Sequence, residues 1–128
     1  MRALRTGIVW AGAFVLLAAT AVSGQPARLL SPLVVGGESH FRLDWQPAEV
    51  GGRRVVRGTI QNTSAYPARR IQLLIEGLDA SGAVVHQRVE WLGSDLPSGA
   101  RVDFESPAGG AAATYRVSLF AFDLTRAP

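Results

Sequence analysis

From Ser39 to Leu124 apolar and polar side chains alternate in short runs broken by turn residues, the period of strands that bury one face. In His40–Trp45 (HFRLDW), Phe41, Leu43 and Trp45 alternate with His40, Arg42 and Asp44. Gln46–Gly52 (QPAEVGG) reads as a turn by its proline and paired glycines. Arg54–Asn62 (RVVRGTIQN) is a second strand, with Val56, Gly58 and Ile60 inward and Arg57, Thr59 and Gln61 outward, and Asn62–Pro67 (NTSAYP) breaks it. Ile71–Leu78 (IQLLIEGL) has helix-forming leucines, yet Gly77 and the turn Asp79–Gly82 (DASG) favour a strand with Ile71, Leu73 and Ile75 inward. Val84–Trp91 follows at hairpin spacing and is expected to be its antiparallel neighbour. After the turn-rich Gly93–Gly99, Arg101–Glu105 buries Val102 and Phe104. Ser106–Ala113 (SPAGGAAA) reads as a mobile loop too featureless to pack, and Tyr115–Leu124 closes the series.

Six or seven such strands with no convincing helix among them make an all-β domain, an antiparallel sandwich ahead of a small barrel. The N-terminus has a different pattern. Arg2 and Arg5 precede Gly7–Val22 (GIVWAGAFVLLAATAV), which carries no charge, and the small residues Ala19, Ala21, Ser23 and Gly24 follow. A positive start, a short apolar stretch and small side chains for a peptidase are the parts of a secretory signal. Residues 1–24 are therefore expected to be a cleaved signal peptide and Gln25 the mature start. The alternative, a retained anchor, is disfavoured because about 16 residues fall short of the roughly 20 needed to span a bilayer core. Residues 25–37 form an extended lead-in, part of which is apolar enough to pair as a first strand, and 38–128 form the sandwich.

Composition changes this picture in two places. The net charge of +3 suggests a polyanionic partner until the leader's two arginines are removed, which leaves 11 basic side chains against 10 acidic. The high pI follows from a basic complement that is entirely arginine, and no nucleic-acid partner is expected. The absence of cysteine excludes disulfides, thiolate metal sites and a cysteine nucleophile.

The segment RGTIQNTSAYPARRIQLLIEGLDASGAVV (Arg57–Val85) resembles the FxLYD domains, small immunoglobulin-like modules of exported prokaryotic proteins. The shared features are a strand ending in Gly-x-x-x-Asn, a loop with small residues and proline, an apolar strand ending in Asp, a glycine turn and a strand opening with valines. LPSGARVDF (Leu96–Phe104) is similar to that family's Leu-Pro-Gly segment. At the naming motif only Asp79 matches, because aliphatic residues stand at the aromatic positions. The resemblance implies an accessory or binding role at the cell envelope and supplies no site residues. Asn62 is expected to close an Asx-turn, and Asp79 with Gly82 the following hairpin.

Candidate chemistry is sparse. His40 and His86 are the only histidines, with no third ligand at metal spacing, and no Gly-x-Ser-x-Gly elbow is present. Neither an enzyme, nor a metal site, nor a cofactor is expected. Phe120 and Phe122 fall on the face of the last strand opposite Tyr115, Val117, Leu119 and Ala121, to be covered by the Leu29–Val35 lead-in or by a partner protein. With Tyr66, exposed in its turn, they form the candidate binding surface. Arg53, Arg54, Arg57, Arg69 and Arg70 would gather as a cationic patch if the second and third strands paired, or else keep a sheet face soluble. Trp45 and Trp91 alternate in phase with apolar neighbours and are expected at the core or its edge. Whichever tryptophan is exposed would serve, with Tyr66, a carbohydrate-stacking alternative. Asn62-Thr63-Ser64 matches a glycosylation sequon. The function expected is thus a non-catalytic exported module acting by protein contact in the envelope or periplasm, with no membrane span after cleavage.

Overall fold

The computed structural model describes residues 29–125, so the expected leader and the first four residues of the lead-in lie outside the described residues. Six strands follow one helical turn, α1 (Gly37–His40): β1 (Phe41–Val50), β2 (Arg53–Asn62), β3 (Ala68–Leu78), β4 (Val84–Trp91), β5 (Arg101–Pro107) and β6 (Thr114–Leu124). They pair as two antiparallel sheets in the orders β1-β2-β5 and β4-β3-β6. Phe41, Val56 and Ile60 of the first sheet meet Ile71, Leu73, Ile75, Tyr115, Val117 and Leu119 of the second in one core. The inward rows anticipated from alternation are these rows, except that Ala121 of β6 stands opposite Gln72 and outside the core, and each fully buried aliphatic side chain contributes about 2 kcal/mol.

β1 is longer than its alternation indicates. It runs through Pro47, which faces Val56, and only Gly51 and Gly52, at φ 59° and 78°, remain to turn the chain into β2. Proline is tolerated because β1 is an edge strand, where one row of backbone donors has no partner to lose. The hairpin β3–β4 forms as expected, with Asp79 Oδ1 accepting from Ser81 N–H (2.9 Å), Ser81 Oγ (2.7 Å) and Ala83 N–H (3.0 Å).

Those bonds, the Ser81 hydroxyl foremost, hold the Asp79 carboxyl below the usual aspartate range. A depressed folded-state value stabilises the fold above the unfolded value of about 3.9 and is lost as pH falls through the folded one. Amide exchange at Ser81 and Ala83 should therefore accelerate below about pH 4 in the parent. In Asp79→Asn the same amides should show no such acid step.

Two bulges shape the second sheet. Opposite Arg69 and Gln72 the ladder slips by one residue on β3, where Arg70 takes φ 51°, and opposite Gln72 and Leu73 it slips by one on β6, around Phe120. The second slip inverts the alternation. Phe120 stays on the outer face while Phe122 turns to the core side, its ring edge-on to Phe41 at 4.9 Å between centroids. The two phenylalanines do not share a face, contrary to their spacing.

The Ser106–Ala113 loop also departs from expectation, because its smallness lets it pack. Ala108 is fully buried and donates its N–H to Arg54 O (3.0 Å), and Ala113 N–H bonds Leu78 O (2.8 Å). Gly110 O accepts from Tyr115 Oη at 3.0 Å and lies 2.9 Å from His86 Nε2. A methyl group at Gly109 would stand 2.9 Å from the His86 ring. Glycine there admits the imidazole, so His86 fastens the loop to the sheet.

Candidate binding surfaces

Among the described residues the lead-in is neither a strand nor a free tail. Gln87 of β4 grips Leu30 by both backbone groups, its Oε1 accepting from Leu30 N–H (2.8 Å) and its Nε2 donating to Leu30 O (3.0 Å). Three residues on, Leu33 N–H bonds Phe120 O of β6 (2.8 Å). β4 and β6 are separated by β3, hence by about 10 Å, which three extended residues cover. Residues 30–33 therefore cross the outer face of the second sheet nearly at right angles to its strands.

Beneath this strap lies a polar clasp in an apolar setting. Glu76 of β3 is 5% exposed and accepts from Arg116 Nε (2.8 Å) and Gln87 Nε2 (2.9 Å), while Leu74 and Phe120 are buried on the same face. The hydrogen bond to Glu76, then the charge of that carboxylate, raises Arg116 above the ordinary guanidinium value. A buried carboxylate paired and hydrogen-bonded in this way orients Gln87, and Gln87 orients the strap.

Because the strap crosses the sheet, it leaves most of the β6 edge open. Among the described residues, and outside the β3 ladder, the bond from Leu33 is the one backbone bond that reaches β6. Between the β1 and β6 edges runs a cleft lined by Phe41 and Leu43 of β1 and by Val117, Ser118 and Leu119 of β6, with the lead-in and α1, from Pro32 and Val34 to Glu38, supplying the rest of its lining. Phe41, Val117 and Leu119 are core residues, so the cleft opens into the space between the sheets.

The other three edges carry features that discourage strand addition. On β4 the residues facing Leu73, Ile75 and Gly77 are Glu90, Arg88 and His86, which puts charge on the core side of that edge, with Arg88 and Glu90 paired at 2.9 Å. β1 contains Pro47, and β5 has seven residues and ends in Pro107. The core side of β6 bears Tyr115, Val117 and Leu119 and no charge.

The residues anticipated from sequence are dispersed. Phe120 is buried, Phe122 is half-buried against Phe41 and His40, and Tyr66 lies 37% exposed in the β2–β3 loop on the far side of Asn62. The proposed cationic patch is not assembled, because β2 pairs with β1 and β5 and not with β3. Arg53, Arg54 and Arg57 belong to one sheet, Arg69 and Arg70 to the other. Arg54 faces Glu49 (3.5 Å), Arg57 faces Glu105 (3.2 Å), Arg69 faces Asp95 (3.6 Å) and Arg70 faces Asp123. These are exposed pairs, each worth at most about 1 kcal/mol.

His40 sits in α1 against Phe122, and Asp44 is turned to Arg42. Trp45 packs on the core edge as expected, but Trp91 is 58% exposed. Val89 and Trp91 do alternate in phase, on the outer face opposite Leu74 and Gln72. Periodicity separates the two faces of a strand without saying which one meets the core. The strap and the cleft have no local signature, although Gly36-Gly37 marks the reversal into β1. There Gly36 takes φ 81°, and a methyl on Gly37 would meet Leu119 at 2.9 Å.

Comparison with family models, with curated proteins and with solved structures finds no match to this chain.

Proposed function

We propose that this chain is a non-catalytic exported module that binds an extended segment of an envelope protein as an added strand along β6. The observation that carries the reading is the open β6 edge beside an apolar cleft between β1 and β6. Strand addition uses these two parts together: backbone groups for affinity, and a floor that accepts every second side chain. The orders β1-β2-β5 and β4-β3-β6 support an immunoglobulin-like type, matching strands A-B-E and C′-C-F of that sandwich, with the place of strand G beside β6 unfilled among the described residues. Membership of the FxLYD domains is part of the same proposal, supported by the turn roles of Asn62 and Asp79. The reading assigns the histidines to packing, since His86 fastens a loop and His40 abuts a phenylalanine.

The chain has no cysteine, so a single introduced thiol is a unique cross-linking site. A photoreactive group on Ser118→Cys, at the cleft, is expected to give an adduct in the producing cells that maps to one extended peptide. The same group on Asp103→Cys, on the exposed face of the other sheet, is expected to give none. Equal labelling from both positions, or none from Ser118→Cys, would sink the proposal. A carbohydrate-stacking role is the second reading, favoured by the exposure of Trp91, and a blank glycan array removes it.

A further inference from the structure

The acids of this domain are nearly all answered from within. Among the described residues seven of them are paired with an arginine, and Asp79 is held by its own turn. Glu38 and Asp103 are the two left without such a partner. Asp103 stands on the exposed face of the first sheet, opposite Thr59. Glu38 is exposed on α1 and lines the apolar cleft between β1 and β6, where it is the one ionisable side chain. On the reading that an extended segment adds to β6, we infer that the cleft takes a segment with a lysine or arginine ahead of two alternate apolar residues. Glu38 is the group that recognises the cation.

A carboxylate at the rim of an apolar wall suits a cation carried on a long aliphatic stem. Val34 and Val35 line the cleft together with Glu38, and Val35 is 94% exposed. The methylenes of a lysine or arginine cover such a surface while the charged head stays in water beside the carboxylate. A charge at the rim of an interface sets which partner is accepted and how fast it is met, more than how tightly it is held.

The order of the residues follows from the topology. Every strand pair in the domain is antiparallel, and a strand added to β6 in the same sense passes Leu119 before Val117. α1 stands at the level of Leu119, since a methyl on Gly37 would meet Leu119 Cβ at 2.9 Å. Beyond Val117 the cleft takes no lining from β6, and there Tyr115 is bonded to Gly110 O. Two inward side chains of the segment therefore fall in the cleft, opposite Leu119 and Val117, and the cation precedes them. The core side of β6 carries no charge, so these two are apolar.

The test is a selection of displayed random decapeptides on the exported protein and on Glu38→Arg at low ionic strength. The parent should recover sequences with lysine or arginine ahead of two apolar residues spaced i, i+2. On Glu38→Arg an acidic residue should take the place of the basic one. A peptide made to the parent consensus should cross-link to Ser118→Cys. It should bind Glu38→Gln about five-fold more weakly, the weight of an exposed ion pair, and the gap should close at high salt. Asp103→Asn, which removes the other unpaired acid, should bind it as the parent does. Glu38 has no ion-pair partner in the fold, so these substitutions remove no such contact that holds the domain. Alternating apolar peptides with no basic residue on both proteins, or equal losses from Glu38→Gln and Asp103→Asn, would overturn the inference and leave strand addition standing. Recovery of no peptide at all would remove both.

Discussion

Replacing Asn62 by alanine is expected to lower the unfolding free energy by about 3 kcal/mol, from the cost of leaving buried polar groups unpaired. Asn62 is fully buried at the end of β2 and uses its whole side-chain capacity. Its Nδ2 donates to Tyr66 O (2.8 Å) and to Leu96 O (2.9 Å), and its Oδ1 accepts from Ser64 N–H (2.9 Å) and Ser64 Oγ (2.8 Å). Leu96 is itself buried, and its carbonyl also receives the Ala68 N–H, so water cannot readily replace the amide there. One side chain thus ties the β2–β3 loop to the segment that leads into β5. Asn62→Asp should be at least as damaging at neutral pH, because a carboxylate would then face two carbonyl oxygens that need donors. Denaturant midpoints with unchanged slopes would measure both losses. A loss below about 1 kcal/mol for alanine would mean that the network is not formed in solution. Since Nδ2 is committed to two carbonyls, the sequon at Asn62 is closed in the folded domain.

How far the sequence is legible depends on what kind of interaction sets each feature. Local chemistry is readable: the turn at Asn62, the hairpin at Asp79–Gly82 and the inward rows of β2, of β3 and of β6 as far as Leu119 follow from side chains within a few residues of one another. The end of β1 is not readable, because Pro47 is admitted by a missing neighbour and not by its own surroundings. The separation of Phe120 from Phe122 is set by a slip against β3, some 50 residues away in the chain. The arginines form one group only if consecutive strands pair, whereas the chain changes sheets between β2 and β3. The small-residue loop shows in its sequence only what it lacks, although glycine and alanine admit close approach where an imidazole must fit.

The candidate surfaces were less legible for the same reason. Exposure of an edge is a property of the whole sheet order, and charge placement reads as protection only once the edges are known. His86, Arg88 and Glu90 look like the solvent row of β4 until pairing puts them on the side of Leu73 and Ile75. The charge of Arg88 and Glu90 then guards the β4 edge, whereas the core side of β6 carries none.

Gly58→Ala is expected to be the most damaging single glycine substitution in the domain, costing on the order of 3 kcal/mol as overpacking against a neighbour that cannot rotate away. Gly58 lies in the central strand of the first sheet, opposite Trp45 of β1 and Phe104 of β5. A Cβ built there would collide with Asp44 O and stand 2.7 Å from Trp45 Cα and 2.9 Å from Asp44 C. All three are backbone atoms, so relief requires β1 to move off β2. That movement would also shift Phe41 and Leu43, which wall the cleft, so the variant should lose Ser118 cross-linking along with stability. Gly77→Ala is the internal comparison, because the three atoms nearest the methyl it adds all belong to the His86 ring. The imidazole can swing aside at the loss of its contact with Gly110 O, a cost of about 1 kcal/mol. Denaturant unfolding of the two variants should rank Gly58→Ala well below Gly77→Ala. Equal midpoints would show that β1 and β2 are not as closely apposed as the backbone of Gly58 implies.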